Sequence, residues 1–187
     1  MDSIQIFTKK IYTLTILHIQ NEDKVGNLPI LFDTKVLLGL KKRGLGVDKW
    51  NGFGGKLEPG ETIEEAAKRE MQEESDVQTP YLEKAGVLLE VFAGDPVAFE
   101  IHVFRATSFV GSPSETEEMI PQWFPVSKIP YAQMWPEARL WWPYFFAGRP
   151  FVGTIRFSQN PFSQSFAVED YKLDHVDILP EGIQLEN

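Results

Sequence analysis

Glu70, Glu73 and Glu74 follow Arg69 in the segment Gly54–Val77, which reads GGKLEPGETIEEAAKREMQEESDV. Carboxylates at i, i+3 and i+4 fall within one turn of a helix, where mutual repulsion and partial burial oppose ionisation unless a cation is at hand. A hard divalent ion meets that need. Oxygen ligands with no cysteine or histidine nearby suit magnesium or manganese better than zinc. The spacing alone fits a solvated acidic helix end equally well.

The helix that must carry these acids has a start signal at Thr62, where Thr62 and Glu65 make a capping box. At about 100° per residue, Ile63, Ala66, Ala67 and Met71 share one apolar side, and Glu65, Lys68, Gln72 and Ser75 the solvent side. Glu70 and Glu74 fall on the centre line of the apolar side and Glu73 close to it, so all three are predicted to turn toward the body of the protein.

Upstream, Ile11–Ile19 alternates apolar and polar residues and is predicted to be a strand. Gln20–Lys35 is polar, turn-rich and broken by a proline, as an inserted hairpin or loop would be, and a second strand follows at Val36–Leu40. Next comes the densest basic cluster of the chain, Lys41, Lys42, Arg43, Lys49 and Lys56. It is either a solvated face or, beside the acidic helix, a phosphate-facing one. Gly52, Gly54 and Gly55 either shape turns or let the backbone approach a ligand or metal closely.

Downstream, Ala85–Ala93 and Phe99–Phe109 are predicted to form a hairpin about Gly94-Asp95-Pro96. A polar loop with Glu115, Glu117 and Glu118 could swing a carboxylate toward the acidic helix, and a short strand follows at Gln122–Val126. A helix opened by Pro136 would present Leu140, Trp141, Tyr144 and Phe145 to the core and end at Gly148, with Pro143 a kink. Closing strands are expected at Phe151–Ser158 and Phe166–Lys172, with a loose acidic tail from Ile178. His18, His102 and His175 have no metal-ligand spacing and are read as strand or core residues. This order of elements gives an α+β fold or a layered α/β/α one.

The Gly54–Val77 segment closely resembles the Nudix box, G-x(5)-E-x(7)-R-E-U-x-E-E-x-G-U, with Gly55, Glu61, Arg69, Glu70, Met71, Glu73, Glu74 and Val77 in register. Asp76 replaces the last glycine and tolerates a left-handed helix end better than most residues. From about Tyr12 to Val176, on VLLGLKKRG, KWNGFGGK, the box, HVF, EEMIPQWF and MWPE, the chain resembles the eukaryotic MutT-homologue family, hydrolases of oxidised purine nucleoside triphosphates. The resemblance implies the Nudix fold, a mixed sheet sandwiched between helices, as one domain over residues 1–177 with the insertion at 20–35 and a flexible tail at 178–187.

The resemblance also implies a site. Its metal ligands would be a carbonyl at Gly54 or Gly55 with Glu70, Glu73, Glu74 and Glu118, and Arg69 would orient the box carboxylates. The expected chemistry is magnesium-assisted attack of water on the triphosphate, manganese being an alternative ion, with Glu74 or Glu118 taking the proton. Thr13, Lys41, Asn51 and Trp135 would surround the purine, with Phe53, Gly54, Gly55, Lys56 and Glu137 completing the substrate-binding set. By themselves, Asn51 could equally shape a turn and Trp135 fill a core. The chain departs from the family at Glu137 and Ala138, where well-known members have two base-reading aspartates. Leu45 stands where a phenylalanine is familiar, and ungapped counting puts Glu90 at another aromatic pocket position.

The chain has 187 residues, enough for one well-buried domain, no cysteine, and a net charge of -9. That charge argues against non-specific binding to nucleic acid or an anionic membrane, so a polyphosphate would enter through metal and a local basic patch. Neither a secretory signal nor a long apolar run is present. The expectation is a soluble, monomeric, cytoplasmic protein acting on small nucleotides, with nucleus or mitochondrion also open. Hydrolysis of a dinucleoside polyphosphate, nucleotide sugar or RNA cap, or nucleotide binding without turnover, are the alternatives.

Overall fold

The computed structural model describes residues 8–20, 34–160 and 166–184. Its strands are β1 (Thr8–Gln20), β2 (Thr34–Lys41), β3 (Trp50–Asn51), β4 (Glu83–Phe92), β5 (Val97–Ala106), β6 (Met119–Pro125), β7 (Phe151–Phe157) and β8 (Val168–His175). The helices are α1 (Ile63–Ser75) and α2 (Ala138–Phe146). The strands form one mixed sheet in the order β3-β2-β1-β5-β4-β7-β8, with β6 on the other edge of β2. The β1–β5 and β4–β7 pairs are parallel and the others antiparallel.

Each helix covers one face. Met71 of α1 joins Leu17, Leu37, Phe53, Val77, Ala106 and Met119 in one core cluster. Trp141, Trp142 and Phe145 of α2 pack with Leu14, Ile16, Val36, Leu38, Leu88 and Val103 in the other. The expected sheet between helices is therefore present, and β4 is buried on both faces, which is why its sequence is almost continuously apolar.

The feature that makes room for a site is a split between β1 and β2. Their pairing runs from Gln20↔Thr34 to Leu17↔Leu37, and beyond that point the segment 50–56 enters between them. Trp50 and Asn51 pair with β2, while Phe53 and Lys56 bridge to Thr15 and Tyr12 of β1. Gly54 permits this closeness, since a methyl group there would lie 1.9 Å from the Thr13 carbonyl oxygen.

Local signals held at α1. Thr62 Oγ1 accepts from the Glu65 amide at 3.2 Å, and Glu65 accepts in return from the Thr62 amide at 2.8 Å. Asp76 ends the helix in the left-handed conformation, φ 59°, with its N–H on the Gln72 carbonyl. Ser75, expected on the solvent side, is buried instead, because the chain around Ser114 crosses the helix end and bonds to its carbonyl.

Other expectations shift. The second helix begins at Ala138 rather than Pro136, and Trp142, outside its expected core set, is fully buried against Tyr131 and Phe146. The predicted insertion at 20–35 lies almost wholly outside the described residues. The tail makes contacts that a loose segment would not. Ile183 donates to Glu100 and accepts from Lys9, and Pro180 accepts from Lys84. Among the described residues, no helix is long and apolar enough to cross a membrane.

Thr62→Ala removes one half of the capping box, and its expected cost is about 1 kcal/mol. A urea titration should show a lower midpoint with an unchanged slope, since the helix is lost only on global unfolding.

Candidate active site

A cavity of about 800 Å³ opens at the split and reaches from α1 to the start of α2. At its outer end lie Glu70, Glu73 and Glu74 from α1, Lys41 from the end of β2, and Glu118 from the residue before β6. At its deep end lie Glu90 from β4, Phe99 and Ile101 from β5, and Trp135 and Glu137 leading into α2.

Glu74 is the buried centre of the outer end, with 1% of its surface exposed. Its carboxylate accepts from the Gly54 amide at 2.9 Å and from Lys41 Nζ at 2.6 Å. Burial raises its pKa to about 7, ahead of the opposing pull of Lys41 and Gly54. Lys41 Nζ also donates to Glu118 at 2.9 Å, and Arg43 donates to the other oxygen of Glu118 at 2.8 Å. These bonds hold Glu118 below the usual carboxylate range. Burial works against the charge on Lys41, but Glu74 and Glu118 keep it above the ordinary lysine value.

Arg69 organises the rest. It donates to Glu61 at 2.6 and 3.0 Å, to Glu70 at 2.9 Å, to Glu73 at 3.0 Å and to the Lys56 carbonyl at 3.1 Å. Its charge is thereby fixed, Glu61 being the strongest partner. Glu70 packs so closely on Gly55 that a methyl group there would lie 2.3 Å from its Oε1. Burial raises the Glu70 pKa against the pull of Arg69. Glu73 does not turn inward as helical spacing predicts: its side chain is 58% exposed, because Arg69 draws it along the helix surface.

Among the described residues, no three acidic or histidine side chains close on one point that could hold a metal. Lys41 stands between Glu74 and Glu118, and Arg69 between Glu70 and Glu73. The donors nevertheless suit a hard cation, because all are carboxylate oxygens and one ammonium already takes up the charge of two of them. Gly55's carbonyl accepts from the Thr13 amide at 2.9 Å, which makes Gly54's the carbonyl to consider as a further ligand.

The residues expected around a base divide. Thr13, Asn51, Trp135 and Glu137 line the cavity, as do Gly54, Gly55 and Lys56. Thr13 Oγ1 is buried with no hydrogen-bond partner, whereas Asn51 Oδ1 accepts from the Gly52 amide. Trp135 is edge-on to Phe166 at 5.6 Å, and Lys49 Nζ lies 5.7 Å from its ring centre. Lys41 lines the cavity at the carboxylate end. Phe53 does not line it: its ring is fully buried against the α1 side of the sheet, since strand alternation turns it away from its glycine neighbours.

Glu90 lines the cavity where ungapped counting places it, and Leu45 does as well. Tyr12, Phe92 and Phe99 complete its apolar walls, a role their strand periodicity does not separate from ordinary core packing.

A carboxylate helix facing a cavity beneath a split mixed sheet is the arrangement of a Nudix domain, and the NUDIX domain family matches residues 23–145. The chain belongs to the Nudix hydrolase family, whose members act on small nucleotide substrates and generally use divalent metal ions. It is 40% identical over 174 residues to the oxidized purine nucleoside triphosphate hydrolase of Danio rerio, covering 93% of this chain and all of that one. The protein of the same name from Mus musculus is 39% identical over 163 residues, 87% of this chain and 96% of the relative. Among solved structures, a MutT protein from Bacillus halodurans superposes with a TM-score of 0.68 at 23% identity, covering 88% of this chain and 97% of that one.

Burial raises the pKa of Glu137 to about 8. The folded state therefore holds a proton that the unfolded chain releases near the ordinary glutamate value, and the associated stability, complete below that value, is lost as pH rises toward 8. Thermal melts of wild type and Glu137→Gln should diverge in the variant's favour between about pH 5 and 8. A constant difference would mean that Glu137 ionises normally.

Proposed function

We propose that the protein hydrolyses oxidised or otherwise modified purine nucleoside triphosphates, such as 8-oxo-dGTP or 2-hydroxy-dATP, to the monophosphate and pyrophosphate with magnesium or manganese. Its effect would be to clear mispairing nucleotides before a polymerase uses them. The observation that carries this reading is the single cavity that joins the carboxylate and cation cluster of α1 to an aromatic, acid-bearing end at α2. One end suits phosphates and the other a purine. The full-length similarity to two proteins named for this activity supports the same assignment.

In this reading the triphosphate lies along Lys41, Arg43, Arg69 and Lys56, the only end of the cavity with several cations. Glu70, Glu73, Glu74 and Glu118, with the Gly54 carbonyl, would hold the divalent ion, and Lys41 would then yield the carboxylate oxygens it bridges. A bound divalent ion supplies charge neutralisation at phosphate oxygens and acidifies a water. Glu74, a buried carboxylate that lines the cavity at this end, takes the proton from the attacking water. Arg69 keeps the box acids in position. Trp135 offers a face for stacking, and Asn51, Thr13 and Glu137 offer polar atoms to the base edge. The protein is expected to act as a monomer.

Pyrophosphate release should depend on magnesium, cease in EDTA, and be fastest with a modified purine triphosphate among dGTP, 8-oxo-dGTP, 2-hydroxy-dATP, N6-methyl-dATP and a dinucleoside polyphosphate. Preference for the dinucleotide would refute the substrate assignment. Binding without turnover would refute the enzymatic one. Glu74→Gln should lower kcat by at least ~100-fold with little change in substrate binding. Near-normal turnover in that variant would transfer the proton-accepting role to Glu118.

A further inference from the structure

The deep end of the cavity holds two acids delivered by different elements. Glu90 stands in the middle of β4 between Leu89 and Val91, opposite Phe99 of β5 and Ile155 of β7. Glu137 is the residue before α2, and Ala138 beside it carries only a methyl group. Both acids line the cavity, and they are only 9% and 7% exposed.

Neither acid has the full set of internal partners that a buried carboxyl ordinarily requires. Glu137 has a hydrogen bond from its own backbone amide but its Oε2 has none, and only burial and the charge of Glu137, with no hydrogen bond, act on the Glu90 carboxyl. Glu137 does not cap α2 with its side chain. The strand around Glu90 is satisfied by apolar side chains, so its carboxyl is not explained by packing. Two acids with unmet hydrogen-bonding capacity in one cavity are available to a ligand.

They are also coupled. Burial, and after it the charge of Glu137, pushes Glu90 well above the carboxylate range, while burial pushes Glu137 up to about 8 against a hydrogen bond from its own backbone amide and the weaker pull of Lys49. The other titratable group acting here is Tyr12 of β1, itself raised by burial and then by Glu90. With one acid ionised, the second charge is opposed by the first as well as by desolvation, so the two titrate as a unit.

We infer that Glu90 is a specificity-determining residue: with Glu137 it presents a pair of carboxyl groups, one from the sheet and one from the start of α2, to the amino-bearing edge of the purine. The acid missing at Ala138 is thus supplied from the opposite wall, by the sheet. This rests on the reading of the protein as a modified purine triphosphate hydrolase. A pyrimidine reaching the same depth with its smaller ring would not span both walls, so Glu90 would matter far less for it.

The test uses the full-length protein with magnesium and compares wild type, E90Q, E137Q and the double variant on 8-oxo-dGTP, 2-hydroxy-dATP and dTTP. For the modified purines, E90Q should raise KM by on the order of 10-fold or more, because a buried ligand group loses its partner, while kcat changes by less than about threefold. The value for dTTP should stay nearly constant. The two single effects should not add in the double variant, as expected of side chains acting on one ligand edge. Wild-type KM should rise above about pH 8 as Glu137 gives up its proton and sets a charge beside Glu90. If E90Q does not fold, E90L and the wild-type pH profile carry the test. An unchanged purine KM in E90Q, or an equal rise for dTTP, overturns the role of Glu90 and leaves the function standing. A wild type that cleaves other phosphoanhydrides but no modified purine triphosphate overturns both.

Discussion

The site depends on the burial of one carboxylate. Glu74 lies under the sheet split with almost no exposure, and its two hydrogen-bond donors come from separate places, Gly54 between β1 and β2 and Lys41 at the end of β2. An acid in that position would be expelled or neutralised without them. The same bonds therefore fix how α1 sits on the sheet. Glu118 joins through Lys41, so the loop before β6 is drawn to the same point. Removing either donor would raise the Glu74 pKa further and favour its neutral form.

The two ends of the cavity have opposite electrical character. Four cations, Lys41, Arg43, Lys56 and Arg69, gather at the α1 end of the cavity, while the deep end carries Glu90 and Glu137 among aromatic rings. A polyanion on a protein of net charge -9 therefore has one energetically acceptable orientation, with its phosphates outward. Such a cavity would orient a nucleotide before any specific hydrogen bond forms. Charge sorting along the cavity selects the pose, and the polar atoms of the base end refine it.

How much of this was legible in the sequence differs by scale. The cap at Thr62, the left-handed end at Asp76, the β4–β5 hairpin and the arm bearing Glu118 all follow from local chemistry, and the structure places them accordingly. Ser75 and Glu73 exchanged their expected environments because of a crossing segment and an arginine, neither of which helical periodicity can register. The family resemblance put Phe53 in the substrate-binding set, yet alternation sends it to the core. The convergence of Glu90 and Glu137 was beyond local reading, because it requires β4 to lie beside β5 and β7 and α2 to cross the sheet opposite α1. Counting from the box put Glu90 at a pocket position, and an acid in an otherwise apolar strand was the local signal beside it.

The docked tail has a consequence for chain connectivity. Glu100 is met by Lys9 from the start of β1 and by the Ile183 amide from the tail, and Lys9 also reaches the Ile183 carbonyl at 2.8 Å. The two ends of the described chain thus come together on the sheet, on the far side of β5 from the α2 core. Joining them with a short linker would close little additional loop, and new ends could be opened at the exposed β4–β5 turn around Gly94. A circularly permuted chain of that kind would keep every strand pairing and the cavity intact, because the order of elements along the backbone is not what holds the site together.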